Sequence, residues 1–222
     1  MQSQYRARIN LNIYDSPACK NLATQAAAGR YLQIISQQQD DIALEVRCCE
    51  DGYSGWLRSD DLHLEPATEP YQAPDPDFSE IQARLPQIIE FTHRAKSHPN
   101  SYLWGGTVAP NYDCSGLMQA AFAEEGIWLP RDAYQQHDFT QQVAPEEIKP
   151  GDLVFFGTES KIDHVGLYLG QDQYIHSSGK SKGRNGIAVD LLQDTGDNIG
   201  RSIYQRLRGF GRVVQSFPGF TS

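Results

Sequence analysis

Between Glu65 and Asp77 the chain carries prolines at 66, 70, 74 and 76, a density that neither a helix interior nor a central strand accommodates. Proline fixes φ and lacks a backbone donor, so such a run is extended and stiff, a spacer between folded units. With 222 residues the chain is long enough for two cores, and the two flanks of the spacer read differently. The expected organisation is a first domain over 1–65, a connector over 66–78 and a second domain over 79–222.

The first flank reads as short strands. Arg8 to Tyr14 alternates apolar and polar residues at period two, and Asp15-Ser16-Pro17 ends it with turn chemistry. Gly29 to Ile35 and Ile42 to Cys48 follow as strands, and Asp51-Gly52 is a turn before Tyr53 to Leu57. Strands this short and this closely spaced predict a small all-β barrel.

The second flank places helices before strands. Ser79 and Gln82 fit a capping box, after which Ile81, Leu85, Ile88, Ile89 and Phe91 recur at helical spacing to about Ser97, with Pro86 predicting a kink or a restart. A second helix starts at Cys114 and closes at Gly126, and Arg131 to His137 predicts a shorter one. Leu153 to Phe156 is apolar on both faces, as in a central strand. His164 to Leu169 and Tyr174 to Ser177 predict a hairpin, with further strands over Gly186 to Asp190 and Ile203 to Val214. Helices followed by strands predict an α+β domain rather than alternating βαβ units.

Composition narrows the partners. The net charge is -9 and no basic stripe occurs, which excludes a nucleic-acid footprint. No apolar run reaches membrane-spanning length, so no membrane partner is expected. Met1 to Arg6 shows no basic stretch leading into an apolar core, from which a cytoplasmic location is expected. The four cysteines, at 19, 48, 49 and 114, have no metal-knuckle spacing, and Cys48 and Cys49 are neighbours in a strand, so a disulfide framework is not expected. Nothing implies a cofactor, and the oligomeric state is not legible.

The chemistry gathers around Asp113-Cys114-Ser115. Asp113 is a good N-cap, which puts Cys114 in the first turn of its helix, where unpaired N–H groups and the helix dipole favour a thiolate. The alternative for Cys114 is a small buried hydrophobe. In the hairpin, Val165, Leu167 and Leu169 share the core face, while His164, Gly166 and Tyr168 share the other. A three-residue loop, Gly170-Gln171-Asp172, sets Gly166 opposite His176 and makes His164 its diagonal neighbour; a loop one residue longer separates the two imidazoles onto opposite faces. One cysteine at a helix start and two histidines on adjacent strands are the parts of a thiol nucleophile with its base and an orienting group. They could also hold zinc with one open position, but no carboxylate-rich surround is evident and the spacing is unlike compact ligand motifs, so no metal is expected.

Six blocks in order then resemble the NlpC family of cell-wall cysteine peptidases. They are Tyr102 to Gly106, Asp113 to Leu117, Leu129 to Arg131, Pro150 to Phe156, Asp163 to Leu169 and Tyr174 to His176. The Gly55-Trp56-Leu57 strand likewise resembles a bacterial SH3-like domain. The resemblance implies a papain-like α+β core with Cys114 as nucleophile, His164 as base and His176 as the residue steering it, and Tyr102 as a further donor to the oxyanion. It implies cleavage of the bond between γ-linked D-Glu and a diamino acid such as meso-diaminopimelate in peptidoglycan stem peptides. Asp113, beside the nucleophile, is a candidate for the free amine of an N-terminal L-Ala, with Ser115 a further substrate-binding candidate. Arg131 either meets a substrate carboxylate or forms a structural ion pair. Tyr53, Glu50 and Asp51, on one turn of the first domain, are candidates to close one end of the cleft. The resulting expectation is a recycling enzyme acting on short free peptides. The alternative is a secreted wall hydrolase that uses the SH3-like domain as its wall-binding module.

Overall fold

The computed structural model describes residues 3–37, 42–182 and 184–219. The first part is all β: β1 (Gln4–Ala7), β2 (Leu11–Tyr14), β3 (Leu22–Ala26), β4 (Tyr31–Gln37), β5 (Ala43–Cys48), β6 (Ser54–Arg58) and β7 (Leu64–Pro66). They form one seven-stranded antiparallel sheet in the order β3-β2-β6-β5-β4-β1-β7. Its core is Leu11, Ile13, Leu32, Val46 and Leu57 with their neighbours. The strand expected over Arg8 to Tyr14 is shorter, because the chain bends at Arg8 and Ile9 and only Leu11–Tyr14 forms β2. Strand β3 has no counterpart in the sequence reading, since Leu22-Ala23-Thr24-Gln25-Ala26 is poor in the β-branched and aromatic residues that mark strands. The proline-rich connector runs without regular structure and packs on this sheet: Tyr71 donates its backbone N–H to Gln4, and its ring lies 5.6 Å from that of Tyr31.

The second part begins with α1 (Phe78–Ser97). The cap is Asp77 rather than Ser79: Asp77 accepts from Glu80 N–H and Glu80 returns the bond, so the box sits two residues earlier than expected. The helix continues through Pro86, which lies on its exposed face where water can serve the carbonyl that the ring cannot. After the short strands β8 (Thr107–Val108) and β9 (Asn111–Tyr112) come α2 (Cys114–Glu124) and α3 (Ala133–Phe139). A six-stranded antiparallel sheet follows: β10 (Gln141–Val143), β11 (Leu153–Gly157), β12 (Ile162–Gly170), β13 (Gln173–Ser178), β14 (Gly186–Leu191) and, after α4 (Asn198–Tyr204), β15 (Leu207–Arg212). Its order is β10-β15-β11-β12-β13-β14. The strand expected over Ile203 to Val214 is therefore shorter, and its first residues close the helix α4, capped by Asp197.

Both faces of this sheet are covered. Phe155, Val165, Leu167 and Ile175 meet Leu117, Met118 and Phe122 of α2 and Ile81 and Ile88 of α1 in the main core. Val154, Phe156, Tyr168 and Tyr174 form a second, smaller core with Ile203 and Phe210. The face that carries His164 and His176 is thus not an open polar surface: the two are 2% and 0% exposed, and their rings lie against those of Phe156 and Tyr174.

The two parts are stitched by polar contacts. Gln25 of β3 accepts at its side-chain oxygen from the N–H groups of Thr107 and Val108, and Thr107 Oγ1 donates to the Gln25 carbonyl. Gln119 of α2 donates to Asp51 at 2.9 Å, and Arg131 donates its Nε–H to Thr24 Oγ1 at 2.8 Å. Gly105, at φ +78, leaves no room for a side chain against Leu22 of β3.

Candidate active site

Asp113 caps α2 in extended conformation and accepts from Gly116 N–H at 2.6 Å, so Cys114 opens the helix as its sequence predicts. A Cβ on Gly116 would sit 2.0 Å from the Gly106 carbonyl oxygen, so glycine there lets the helix start press against the preceding loop. The thiol is buried, and burial, followed by the charge of Asp113, pushes it up to about 12; the N–H groups of Val165 and Ser115 and then Arg131 pull the other way. The helix start alone therefore does not activate this cysteine: desolvation outweighs it, and an adjacent base has to take the proton.

The β12–β13 hairpin supplies the histidines. Its turn residues Gln171 and Asp172 have φ of 53° and 55°, a two-residue turn of the mirror-image kind that suits hairpins. A two-residue turn alone would set His176 beside the core-facing residues of β12. The ladder instead skips a residue between Tyr168 and Gly170, and Leu167 pairs with Ile175. This bulge at Leu169 restores the register expected of a three-residue loop and returns both imidazoles to one face. His164 Nε2 lies 2.7 Å from His176 Nδ1, with the rings edge to face. Ser177, next in the strand, donates to the Tyr112 carbonyl at 2.7 Å and ties β13 to the approach to Cys114.

Behind His176 stands a carboxylate that the sequence reading did not single out. Asp190 of β14 lies 2.9 Å from His176 Nε2, and Arg184 donates to both oxygens of Asp190. Arg184 is held in turn by Asp197, the cap of α4. In the ladder His176 faces Ala188, so Asp190 is its diagonal neighbour, as His164 is on the other side. A signal was present: a charged residue within Ile187-Ala188-Val189-Asp190-Leu191 is unfavourable in a strand unless it has a partner. Among the described residues no group of three or more His, Cys, Asp and Glu could hold a metal ion.

A cavity of about 520 Å³ opens over Cys114 and His164. Tyr102, Asp113 and Ser115 line it, as do Asp132, Tyr134 and Lys161, and Ala23 and Tyr53 reach it from the first sheet. Burial, then Cys114 and Asp113, push the Tyr102 phenol upward, so it keeps its proton as a donor beside the sulfur. Trp104 is 71% exposed at the cavity rim and contributes no core.

Other candidates have different partners. Arg131 is 2% exposed and bonds Asp113 through Nη1 and Nη2 and Ser115 through Nη1, so of its two expected roles the structure shows the ion pair. Asp113 already accepts from Gly105, Gly116, Ser115 and Arg131, leaving its charge compensated before any amine arrives. Glu50 and Asp51 do not line this cavity, which corrects their expected place: both are buried on Arg30, and Asp51 also holds Gln119. Of that turn only Tyr53 reaches the site, because Glu50 is spent on Arg30 and the Tyr31 N–H within the first part and Asp51 on Arg30 and on Gln119 of α2.

Residues 99–197 match the NlpC/P60 family, and residues 13–62 match the bacterial dipeptidyl-peptidase Sh3 domain. The probable endopeptidase p60 of Listeria seeligeri is 41% identical over 113 residues, 51% of this chain and 20% of that protein. The gamma-DL-glutamyl hydrolase of Bacillus subtilis is 45% identical over 85 residues, 36% of this chain and 21% of that protein. The chain thus matches about a fifth of the length of these relatives. An NlpC/P60 family protein from Bacillus cereus superposes with a TM-score of 0.51 at 23% identity, over 96% of this chain and 64% of that one, which is a likeness of fold.

Proposed function

Because residues 99–197 form a domain of the NlpC/P60 family behind a bacterial SH3 domain, we propose that the protein is a cysteine endopeptidase of peptidoglycan stem peptides, cleaving the bond between γ-D-Glu and a diamino acid. The observation that carries this reading is the single cavity into which Cys114 and His164 both open, with His176 bonded behind the base. His164 takes the thiol proton, and the thiolate attacks the γ-carbonyl carbon, forming a C–S bond and an oxyanion. The Cys114 N–H at the helix start and the Tyr102 hydroxyl are the donors offered to that oxyanion; losing one such donor costs about 3 kcal/mol of transition-state stabilisation. The proton on His164 passes to the departing amine as the C–N bond breaks. Water, deprotonated by His164, then attacks the thioester, and the C–S bond breaks to release the γ-carboxylate and the free thiol.

The substrate in this reading is a short peptide with a free L-Ala terminus, in the recycling of wall material in the cytoplasm. Support comes from Ala23 and Tyr53, through which the first part of the chain contributes to the wall of the cavity, a wall that favours a short peptide over cross-linked material. Purified protein given L-Ala-γ-D-Glu-meso-diaminopimelate should release free diaminopimelate, detected by mass spectrometry, and should release far less from intact sacculi. Comparable release from sacculi overturns the recycling role. Cys114→Ala should abolish turnover, and activity that survives it overturns the assignment of the nucleophile.

A further inference from the structure

His164, His176 and Asp190 form a diagonal stripe across three neighbouring strands, β12, β13 and β14, with contacts of 2.7 and 2.9 Å. Each imidazole nitrogen in the stripe either donates or accepts, and geometry alone leaves both directions open. The end of the stripe decides. An ionised carboxylate has no hydrogen to give, so His176 must carry its proton on Nε2 and present a bare Nδ1 to His164. His164 must then donate from Nε2, which leaves its Nδ1 as the ring's proton acceptor.

We propose that Asp190 is a positioning residue that sets the tautomers of both histidines, so that His164 accepts the Cys114 proton at Nδ1 throughout the reaction. Arg184 is part of the device. It donates to both oxygens of Asp190, and a guanidinium has only donors to offer, so it demands acceptor oxygens on its side. The same arrangement serves when His164 is protonated: its Nε2–H still points at His176, and the charge of Asp190 faces the imidazolium through one ring. The proposal rests on the reading of Cys114 and His164 given above, and its test separates the two. A wild-type protein inactive on stem peptide counts against that reading, whereas the tautomers are read without substrate.

The first measurement is on wild type: long-range nitrogen–proton correlation spectra of protein labelled at histidine with nitrogen-15. The expected result is protonated Nε2 and bare Nδ1 on both His164 and His176, assigned by His164→Gln and His176→Gln. A proton on Nδ1 of neutral His164 overturns the proposal, with no dependence on any variant's folding. The second measurement is Asp190→Asn. Arg184 shares Oδ2 with His176 only through its longer Nε contact of 3.2 Å and makes its closest contact, from Nη2, to Oδ1; the amide oxygen therefore stays at the Oδ1 position and the amide nitrogen turns to His176, which must then accept at Nε2 and carry its proton on Nδ1. That proton points at His164 Nε2, and the proton of His164 moves to Nδ1, where it blocks the base. Turnover of stem peptide should fall about 10- to 100-fold, with both tautomers inverted in the spectra. Removing the arginine as well, in Asp190→Asn with Arg184→Ala, frees the amide to turn its oxygen to His176 and should recover part of the loss. A merely structural role predicts that the second substitution deepens the defect. Wild-type turnover in Asp190→Asn, or a double variant slower than the single one, overturns the role assigned here.

Discussion

Two carboxylates flank the line from Cys114 to His176, and each is held by an arginine, yet the two pairs are built differently. Asp113 and Arg131 have side chains 8% and 1% exposed, and both oxygens of the carboxylate are saturated by two backbone N–H groups, a serine and the guanidinium. Asp190 is as buried as Asp113, but its Arg184 is 22% exposed and tethered to Asp197 at the solvent edge. The first pair is a joint: through Thr24 it locks the helix start to the first sheet. The second keeps one oxygen on a histidine while its cation stands outside. A buried ion pair whose donors are all internal specifies geometry, whereas one with an exposed cation can hold a proton in place without carrying the core.

Breaking the joint should cost the most. Arg131→Met leaves Asp113 charged and unpaired in the interior, and unfolding in urea should show a loss of about 3–5 kcal/mol, with activity falling as the helix start shifts. Thr24→Val keeps the shape but removes the acceptor for the Arg131 Nε–H, and should cost about 1–3 kcal/mol in the same measurement. A loss from Thr24→Val as large as that from Arg131→Met would mean that the sheet contact, rather than the ion pair, carries the joint.

The smallest effect belongs to the second pair and appears as a pH dependence. Burial raises the pKa of Asp190, but hydrogen bonds and charge from His176 and Arg184 outweigh it and hold the carboxyl below its usual value. A carboxylate depressed in the folded state stabilises the fold above its unfolded pKa and loses that contribution as pH falls through the folded value. The stability gap between wild type and Asp190→Asn should therefore narrow as urea titrations are taken below about pH 4. A gap that stays constant down to pH 2 would show that the pair contributes nothing through ionisation.

Much of this site could be read from local rules. The N-cap at Asp113, the helix start at Cys114 and the alternation along the hairpin each depend on a few adjacent residues, and each stands as read. The cap of α1 was displaced by two residues because both Asp77 and Ser79 are competent caps and only the returning bond from Glu80 distinguishes them. Asp190 was passed over because its meaning lies in a partner fourteen residues away on another strand. Glu50 and Asp51 looked available for substrate because an acidic turn reads as solvated, and nothing local shows that Arg30 and Gln119 close on it.

By itself the sequence determined the α+β character of the second part, the cysteine at a helix start and the histidine face of the hairpin. These follow from capping and from periodicity, which act over a few residues. Tertiary structure alone decided that a bulge at Leu169 realigns the two imidazoles and that Asp113 and Arg131 neutralise each other beside the nucleophile. It also decided that burial raises the Cys114 thiol and that Asp190 stands at the end of the stripe. Desolvation and charge pairing depend on which surfaces meet, and residues as far apart in sequence as Thr24 and Arg131 meet only once the first sheet has packed against the segment between α2 and α3.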